Sequence, residues 1–381
     1  MRRIVSLAAG LVLLSLASQA GAETATVTRD WQFKEAGHAV LRLENLVGDL
    51  RVERGTAAGF HISVKVTAEA DSQAAAQSLA EAVQFNTRDT GSDGSFEVLL
   101  PEDRFPVIYR QGASHGWFDR SYVRYLGERR RISGDASEGV RIRVDILVRA
   151  PAEATLRARN LLGNSTADGF SGDLRLDGTS GRLSSMNGSG KVDLDAGSGA
   201  VEVATHDGEV RADTGSGHVT IRDCRCHIVA DTGSGGVEIT GGEGDIDADT
   251  GSGQVKVHGF KGSVRADTGS GGVVVTGSSG ARELVADTGS GGVSVSGDLS
   301  SLTKLDIDTG SGGVTLQATA WPVMEIVVDT GSGRKQVDVP GATVTTDRHG
   351  RIIVGIGTGG PRGVIDTGSG SVQMSTVTAG D

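Results

Sequence analysis

The sequence predicts an all-β fold: a parallel β-solenoid with two short strands per 18–21-residue coil, and an N-terminal cap containing one helix. Three observations predict it. First, the word Asp-Thr-Gly-Ser-Gly recurs at Asp213, Asp231, Asp249, Asp267, Asp287, Asp308, Asp329 and Asp366, with variants at Asp195 and Asp177. From Asp195 to Asp329 the intervals are 18, 18, 18, 18, 20, 21 and 21 residues, and a fixed period near 20 marks a stacked repeat. Second, apolar residues fall three and one before the Asp of a unit and six and eight after it, as Ile228, Ala230, Val237 and Ile239 do around Asp231. Spacing of two is strand parity. Third, Gly is 59 of 381 residues and concentrates between those strands, where the expectation is a corner needing positive φ.

In chain order, residues 1–22 carry Arg2 and Arg3, an apolar run over 4–17 and Ala20-Gly-Ala22, the pattern of a cleaved secretory signal. That run is too short for a good membrane span, and no Cys lies near the cut to take a lipid anchor. Residues 23–159 read as a cap with the first strands. Residues 72–85 form the only convincing helix, with Asp71 or Ser72 as cap and Leu79, Ala82 and Val83 as its apolar stripe. The turn Asn45-Leu-Val-Gly-Asp49 matches Asn160-Leu-Leu-Gly-Asn164, so stacking is expected to begin there. The repeat domain is placed at 160–381. The 37 residues from Asp329 to Asp366 make two intervals if Asp347 heads a worn copy. Cys224 and Cys226 sit in one turn, paired or free, with only His227 and Asp223 near them as further metal donors.

Residues 102–138 fit no repeat. They hold all three tyrosines, Trp117 and seven arginines, and 104–131 carries a net +5. The candidate ligand-binding residues are Arg110, Trp117, Tyr122, Arg124, Tyr125, Arg129, Arg130 and Arg131, the rings as stacking surfaces and the guanidinium groups as anion contacts. The competing reading is a self-packed insertion whose arginines dock on acidic residues. The formal charge is -11, and 160–381 carries 28 Asp or Glu against 16 Lys or Arg. Such a surface argues against nucleic acid or anionic membrane as partner.

Asp-Thr-Gly-Ser is also the written signature of aspartic proteases, which need two carboxylates sharing one proton across a cleft. Here the words repeat in register with no cleft, so Asp is expected to accept hydrogen bonds from turn amides and Thr to bond the backbone at the corner. Calcium-binding rolls use G-G-x-G-x-D-x-U-x, whose Asp position in the stretch from Gly241 is taken by Ile246. No catalytic residue, metal or cofactor is assigned.

The serial Asp-Thr-Gly-Ser-Gly-Gly-Val coils, the signal pattern and the segment Val144-Asp-Ile-Leu-Val-Arg-Ala-Pro-Ala-Glu-Ala-Thr-Leu-Arg-Ala-Arg-Asn160 together resemble the DUF4097 family of bacterial exported, adhesin-labelled proteins. The resemblance covers most of residues 40–375 and implies a β-solenoid of the cell envelope, with no catalytic residues to carry over. The expectation is an exported, periplasmic or cell-surface, non-enzymatic scaffold or binding protein, its partner an envelope glycan or protein held through 102–138. The alternatives are a carbohydrate-active enzyme and a self-associating structural protein.

Overall fold

The computed structural model describes residues 22–33, 40–91, 93–101, 107–109, 121–133 and 141–378. These are almost entirely strands, with one helix, and most of the strand pairing is parallel. The chain forms two compact units, divided after Ala196. Residues 160–196, which the repeat pattern assigns to the repeat domain, lie in the first unit.

Among the described residues the first unit contains two long runs of paired strands and a separate three-stranded sheet. In one, Glu23–Gln32, His61–Ala70 and Arg141–Ala150 pair antiparallel. Arg141–Ala150 then pairs parallel with Leu50–Arg54, followed by Ser165–Asp168 and Leu183–Met186. In the other, Gln84–Asp89 is antiparallel to Asp93–Leu99. Parallel partners follow in the order Val40–Val47, Ala154–Leu162, Ser171–Gly178 and Ser189–Ala196. Alternation decides burial: Leu41, Leu43, Leu156 and Ala158 are inside, while Arg42 and Arg157 between them are exposed. The helix Gln73–Glu81 is capped by Ser72, whose Oγ accepts the Ala75 amide at 3.3 Å. It packs on Glu23–Gln32 and His61–Ala70 through buried Ala76 and Ala80, while Leu79 is only half-buried. Of the expected stripe Val83 is fully buried while Ala82, like Leu79, is half-buried, so the packed face runs through Ala76, Ala80 and Val83, and its small residues let the helix lie close to the strands.

The matched turns do stack. Asn45 and Asn160 lie opposite one another, both fully buried, with Asn45 Nδ2 donating to Asn160 Oδ1 at 3.0 Å and to the Val144 carbonyl at 2.9 Å. Asn160 Nδ2 donates in turn to the Gly48 carbonyl at 3.0 Å. Gly163 has φ +145, and a Cβ there would stand 1.9 Å from the Gly48 carbonyl oxygen. No other residue allows that approach.

In the second unit each residue pairs with the one a repeat later: Val219 with Val237, Ile228 with Ile246, Asp231 with Asp249, Val237 with Val255. Val, Ile, Leu and Ala at the four apolar positions are buried from the Asp213 repeat to the Asp308 repeat; after Asp329 the pattern lapses, with Lys335 and Val337 only half-buried. The Ser-flanking glycines are not at positive φ, contrary to the sequence expectation. Their role is closeness, since a Cβ on Gly253 would lie 1.8 Å from the Gly235 carbonyl oxygen. Positive φ belongs to the opposite corner, as at Gly244 (φ 140) and Gly262 (φ 137). Cys224 and Cys226, at that corner, form a disulfide with each other.

Sequence order fails at one place. Lys304–Thr309 pairs not with Met324–Thr330 but with Arg362–Thr367, which pairs with Met324–Thr330 on its other side. Likewise Val372–Thr376 lies between Val314–Ala320 and Lys335–Asp338. Asp366 therefore stands between Asp308 and Asp329 in the ladder. Asp347 is not a worn copy: it closes the turn of an antiparallel hairpin, Thr343–Thr346 with Ile352–Ile356, that pairs with Met324–Thr330. There its carboxylate accepts the Arg351 and His349 amides and an Arg351 ion pair at 2.7 Å, which hold its pKa low.

Candidate binding surface

The Arg- and aromatic-rich insertion folds, where described, as a small sheet in the order Val107–Tyr109, Glu128–Ser133, Ser121–Tyr125. Its hairpin turns at Leu126 (φ 48) and Gly127 (φ 84), the two consecutive positive φ values of a type I′ turn. Directly opposed residues share a face: Tyr122 lies opposite Arg131, and Arg124 opposite Arg129. One face thus carries Tyr122, Arg124, Arg129 and Arg131; the other carries Val123, Tyr125, Glu128 and Arg130. The Arg129 guanidinium lies 4.0 Å from the centre of the Tyr122 ring, and Tyr122, Arg124 and Arg129 are exposed. Such stacking fixes a cation on a flexible stem with its outer edge open to an anion.

The second face corrects the sequence reading. Tyr125 is 1% exposed, and its hydroxyl is 2.5 Å from the Val98 carbonyl and 3.1 Å from that of Glu44. It anchors the hairpin to the strands and offers no stacking surface. Val123 and Ile132 are buried beside it. Arg130 and Arg131 are half-buried, and Arg130 pairs with Glu128 at 3.2 Å. Arg159, from Ala154–Leu162, donates to the Arg124 carbonyl at 3.2 Å and lies 3.9 Å from the Glu44 carboxylate. Burial raises the Glu44 pKa, reinforced by Glu97 and Asp177 and opposed by Arg159. Arg110 and Trp117 lie outside the described residues.

The aspartate ladder stands elsewhere, in the second unit, with its carboxylates facing outward on neighbouring strands. At these turns the amide goes to Thr, which bonds the backbone at the corner as expected: Thr250 Oγ1 accepts the Gly253 amide at 3.0 Å and donates to the Gly235 carbonyl at 2.7 Å, while at Asp366 the carboxylate does take a backbone hydrogen bond, from Thr367. The arrangement repeats at Thr214, Thr232, Thr268 and Thr288. Burial and the neighbouring aspartates raise the pKa of Asp249 and of Asp366. Among the described residues no group of three or more His, Cys, Asp or Glu side chains is placed to hold a metal ion.

Sequence reasoning missed a groove of about 480 Å³ in the first unit, beside the stacked Asn turns, lined by Asp49, Thr67, Glu69, Arg141, Arg143 and Asn164 among others. Its charges are mutually tied. Arg143 bonds Asp49 at 2.6 Å and Asp145 at 2.7 Å, which holds its proton more firmly against the opposing effect of burial, and Arg141 lies 3.6 Å from Glu69. The repeated Asn-Leu-(Val/Leu)-Gly turn was the signal that could have located it.

No family model and no curated protein matches the chain. Solved structures do match across 92% of its length. A candidate cell adhesion protein from Clostridium sporogenes ATCC 15579 is similar at 8% identity and TM-score 0.18, covering 99% of that chain. A candidate lipid-binding protein from Parabacteroides distasonis ATCC 8503 is similar at 11% and 0.28, covering 96% of that chain. A candidate adhesin from Bacteroides fragilis NCTC 9343 is similar at 10% and 0.26, covering 96% of that chain.

Proposed function

We propose that the chain is an exported, non-enzymatic β-solenoid of the bacterial cell envelope that acts as an adhesin-like binding or scaffold protein, and that it holds an anionic envelope glycan. The carrying observation is the hairpin face on which Tyr122, Arg124 and Arg129 are exposed together, Arg129 stacked on the ring. A ring beside two guanidinium groups suits a sugar bearing carboxylate or phosphate: the ring covers the apolar face of the sugar while the cations meet its charge. The signal-like pattern of residues 1–22 supports export. Among the described residues no helix is long and apolar enough to cross a membrane. The in-register pairing of successive repeats supports the solenoid.

The test compares retention on immobilised polygalacturonate and on neutral dextran, for the full chain and for Arg124→Gln/Arg129→Gln. The expected result is selective, salt-sensitive retention on polygalacturonate, weakened on the order of tenfold in the double variant, as for two exposed charge contacts of about 0.7 kcal/mol each. Equal retention of both proteins would return the hairpin to a packing role. Oligosaccharide released from the matrix would defeat the non-enzymatic reading.

A further inference from the structure

The out-of-order coil carries a consequence for association. Strands Arg362–Thr367 and Val372–Thr376 fill a slot one coil wide, between Lys304–Thr309 with Val314–Ala320 on one side and Met324–Thr330 with Lys335–Asp338 on the other. Both walls carry the same Asp-Thr-Gly-Ser-Gly word as the occupant, and Asp308, Asp366 and Asp329 fall in one row. Ile365 lies between Ile307 and Val328, and Met374 is paired to Leu316 and to Val337. Ile365, Thr367, Val372 and Met374 are all buried in the slot.

The walls share one motif, and their first strands share one inward pattern, Leu305 and Ile307 on one side and Ile326 and Val328 on the other; in the second strands Val314 and Leu316 face Lys335 and Val337 across the coil. With the coil withdrawn, Leu305 and Ile307 can pair against Ile326 and Val328, whereas Val314 would meet Lys335, so an empty slot is a poorer fit than a filled one. The withdrawn coil, in turn, would expose Ile365, Val372 and Met374, which only a slot of this motif and register buries. An identical slot exists on every other copy of the chain. The coil enters through Gly357-Thr-Gly-Gly-Pro361, where Gly357 (φ 72), Gly359 (φ 75) and Gly360 (φ 99) are in conformations that only glycine adopts freely. Such a connection can swing outward at little conformational cost, which is what exchange of an element between copies requires.

We propose that residues 362–376 form an exchangeable coil, and that two copies of this chain associate by each inserting it into the slot of the other. The contacts are those of the single chain, so the exchanged dimer needs no new interface chemistry. Its population rises with protein concentration. The connection from Val314–Ala320 to Met324–Thr330 guards the exit: Trp321 Nε1 donates to Thr376 Oγ1 at 2.9 Å. That bond holds the coil in its own slot until it is broken.

Thr315 and Gln373 lie opposite one another on neighbouring strands, facing outward between buried residues, so cysteines there report which slot the coil occupies. The experiment mixes full-length Thr315→Cys with full-length Gln373→Cys, unfolds them together in urea without reductant, refolds them and oxidises. A covalent heterodimer, absent from either protein alone, is the expected result. The double variant Thr315→Cys/Gln373→Cys in dilute solution is expected to close within one chain, verifying the register. Closure of the double variant without heterodimer from the mixture would overturn exchange. Failure of the double variant to close would overturn the register on which exchange rests.

Discussion

The two neighbours in the repeated word, Asp and Thr, do opposite things. Thr is turned inward, fully buried, and its hydroxyl both accepts an amide in its own turn and donates to the preceding repeat. Each such bond contributes about 1 kcal/mol, and a buried group left without one costs about 1–3 kcal/mol. Asp faces water in a row of like charges, where neither a turn amide nor a cation offsets repulsion at Asp249; its pKa is raised by burial first, then by Asp267, Asp231 and Asp247. The sign follows. A carboxyl with a raised pKa in the folded chain binds its proton more tightly there than when unfolded. Acidification through the window from that raised value down to the ordinary 3.8 therefore favours folding, and the charged form opposes it above that window. Asp249→Asn is expected to be more resistant to urea than the parent at neutral pH. The advantage should shrink as the pH falls to 3.8 and shrink with added salt. Urea midpoints of the two proteins across pH measure this; a variant less stable at neutral pH would show that the carboxylate makes a bond outweighing the repulsion. The register of these residues was legible from spacing. Their division of labour was legible only in part, because parity marks Thr as inward but does not say which group the turn amides choose.

At the scale of the element, the hairpin 121–133 shows why an arginine-rich stretch misleads. Composition suggests a surface, and half of it is one. Strand parity separates Tyr122 from Tyr125 by an odd number of residues, so one ring points out and the other in. What sequence did not supply was which: too few apolar residues (Val123, Tyr125, Ile132) mark the inner face to outweigh five charged neighbours. The buried hydroxyl of Tyr125 settles the assignment and makes it an anchor. Tyr125→Phe is expected to cost about 1 kcal/mol, the worth of one buried bond to a carbonyl. Tyr125→Ala is expected to cost about 3–5 kcal/mol and to release the hairpin from the strands that carry it. Polygalacturonate retention should then fall in Tyr125→Ala although every arginine is intact, and survive in Tyr125→Phe. Hydrogen exchange across 121–133 separates the two variants, and unchanged protection in Tyr125→Ala would remove the anchor role.

At the scale of the molecule, the two-strand repeat was readable because each rung repeats the same four inward positions. That uniformity is also why the order of the last rungs was not. Strands at 304–309, 324–330 and 362–367 all end in the same word, so any of them fits on any other, and no local residue says which neighbour is chosen. The hairpin formed by Thr343–Thr346 and Ile352–Ile356 decides the order by occupying the far side of Met324–Thr330, which leaves the coil that follows only the inner slot. A ladder stacked in chain order would place 362–376 outermost, with one free side and rapidly exchanging amides. The structure gives both of its strands neighbours on either side, and puts Thr343–Thr346, exposed along its length and, among the described residues, paired only to Ile352–Ile356, at the margin. Nearest-neighbour stacking makes local opening easiest at such margins and hardest between two filled rungs. Amide exchange followed by mass spectrometry is therefore expected to find 343–346 losing protection first and 362–367 retaining it alongside 304–309. If 362–376 exchanged earlier than 324–330 in dilute solution, the coil would not be held between two filled rungs in the single chain.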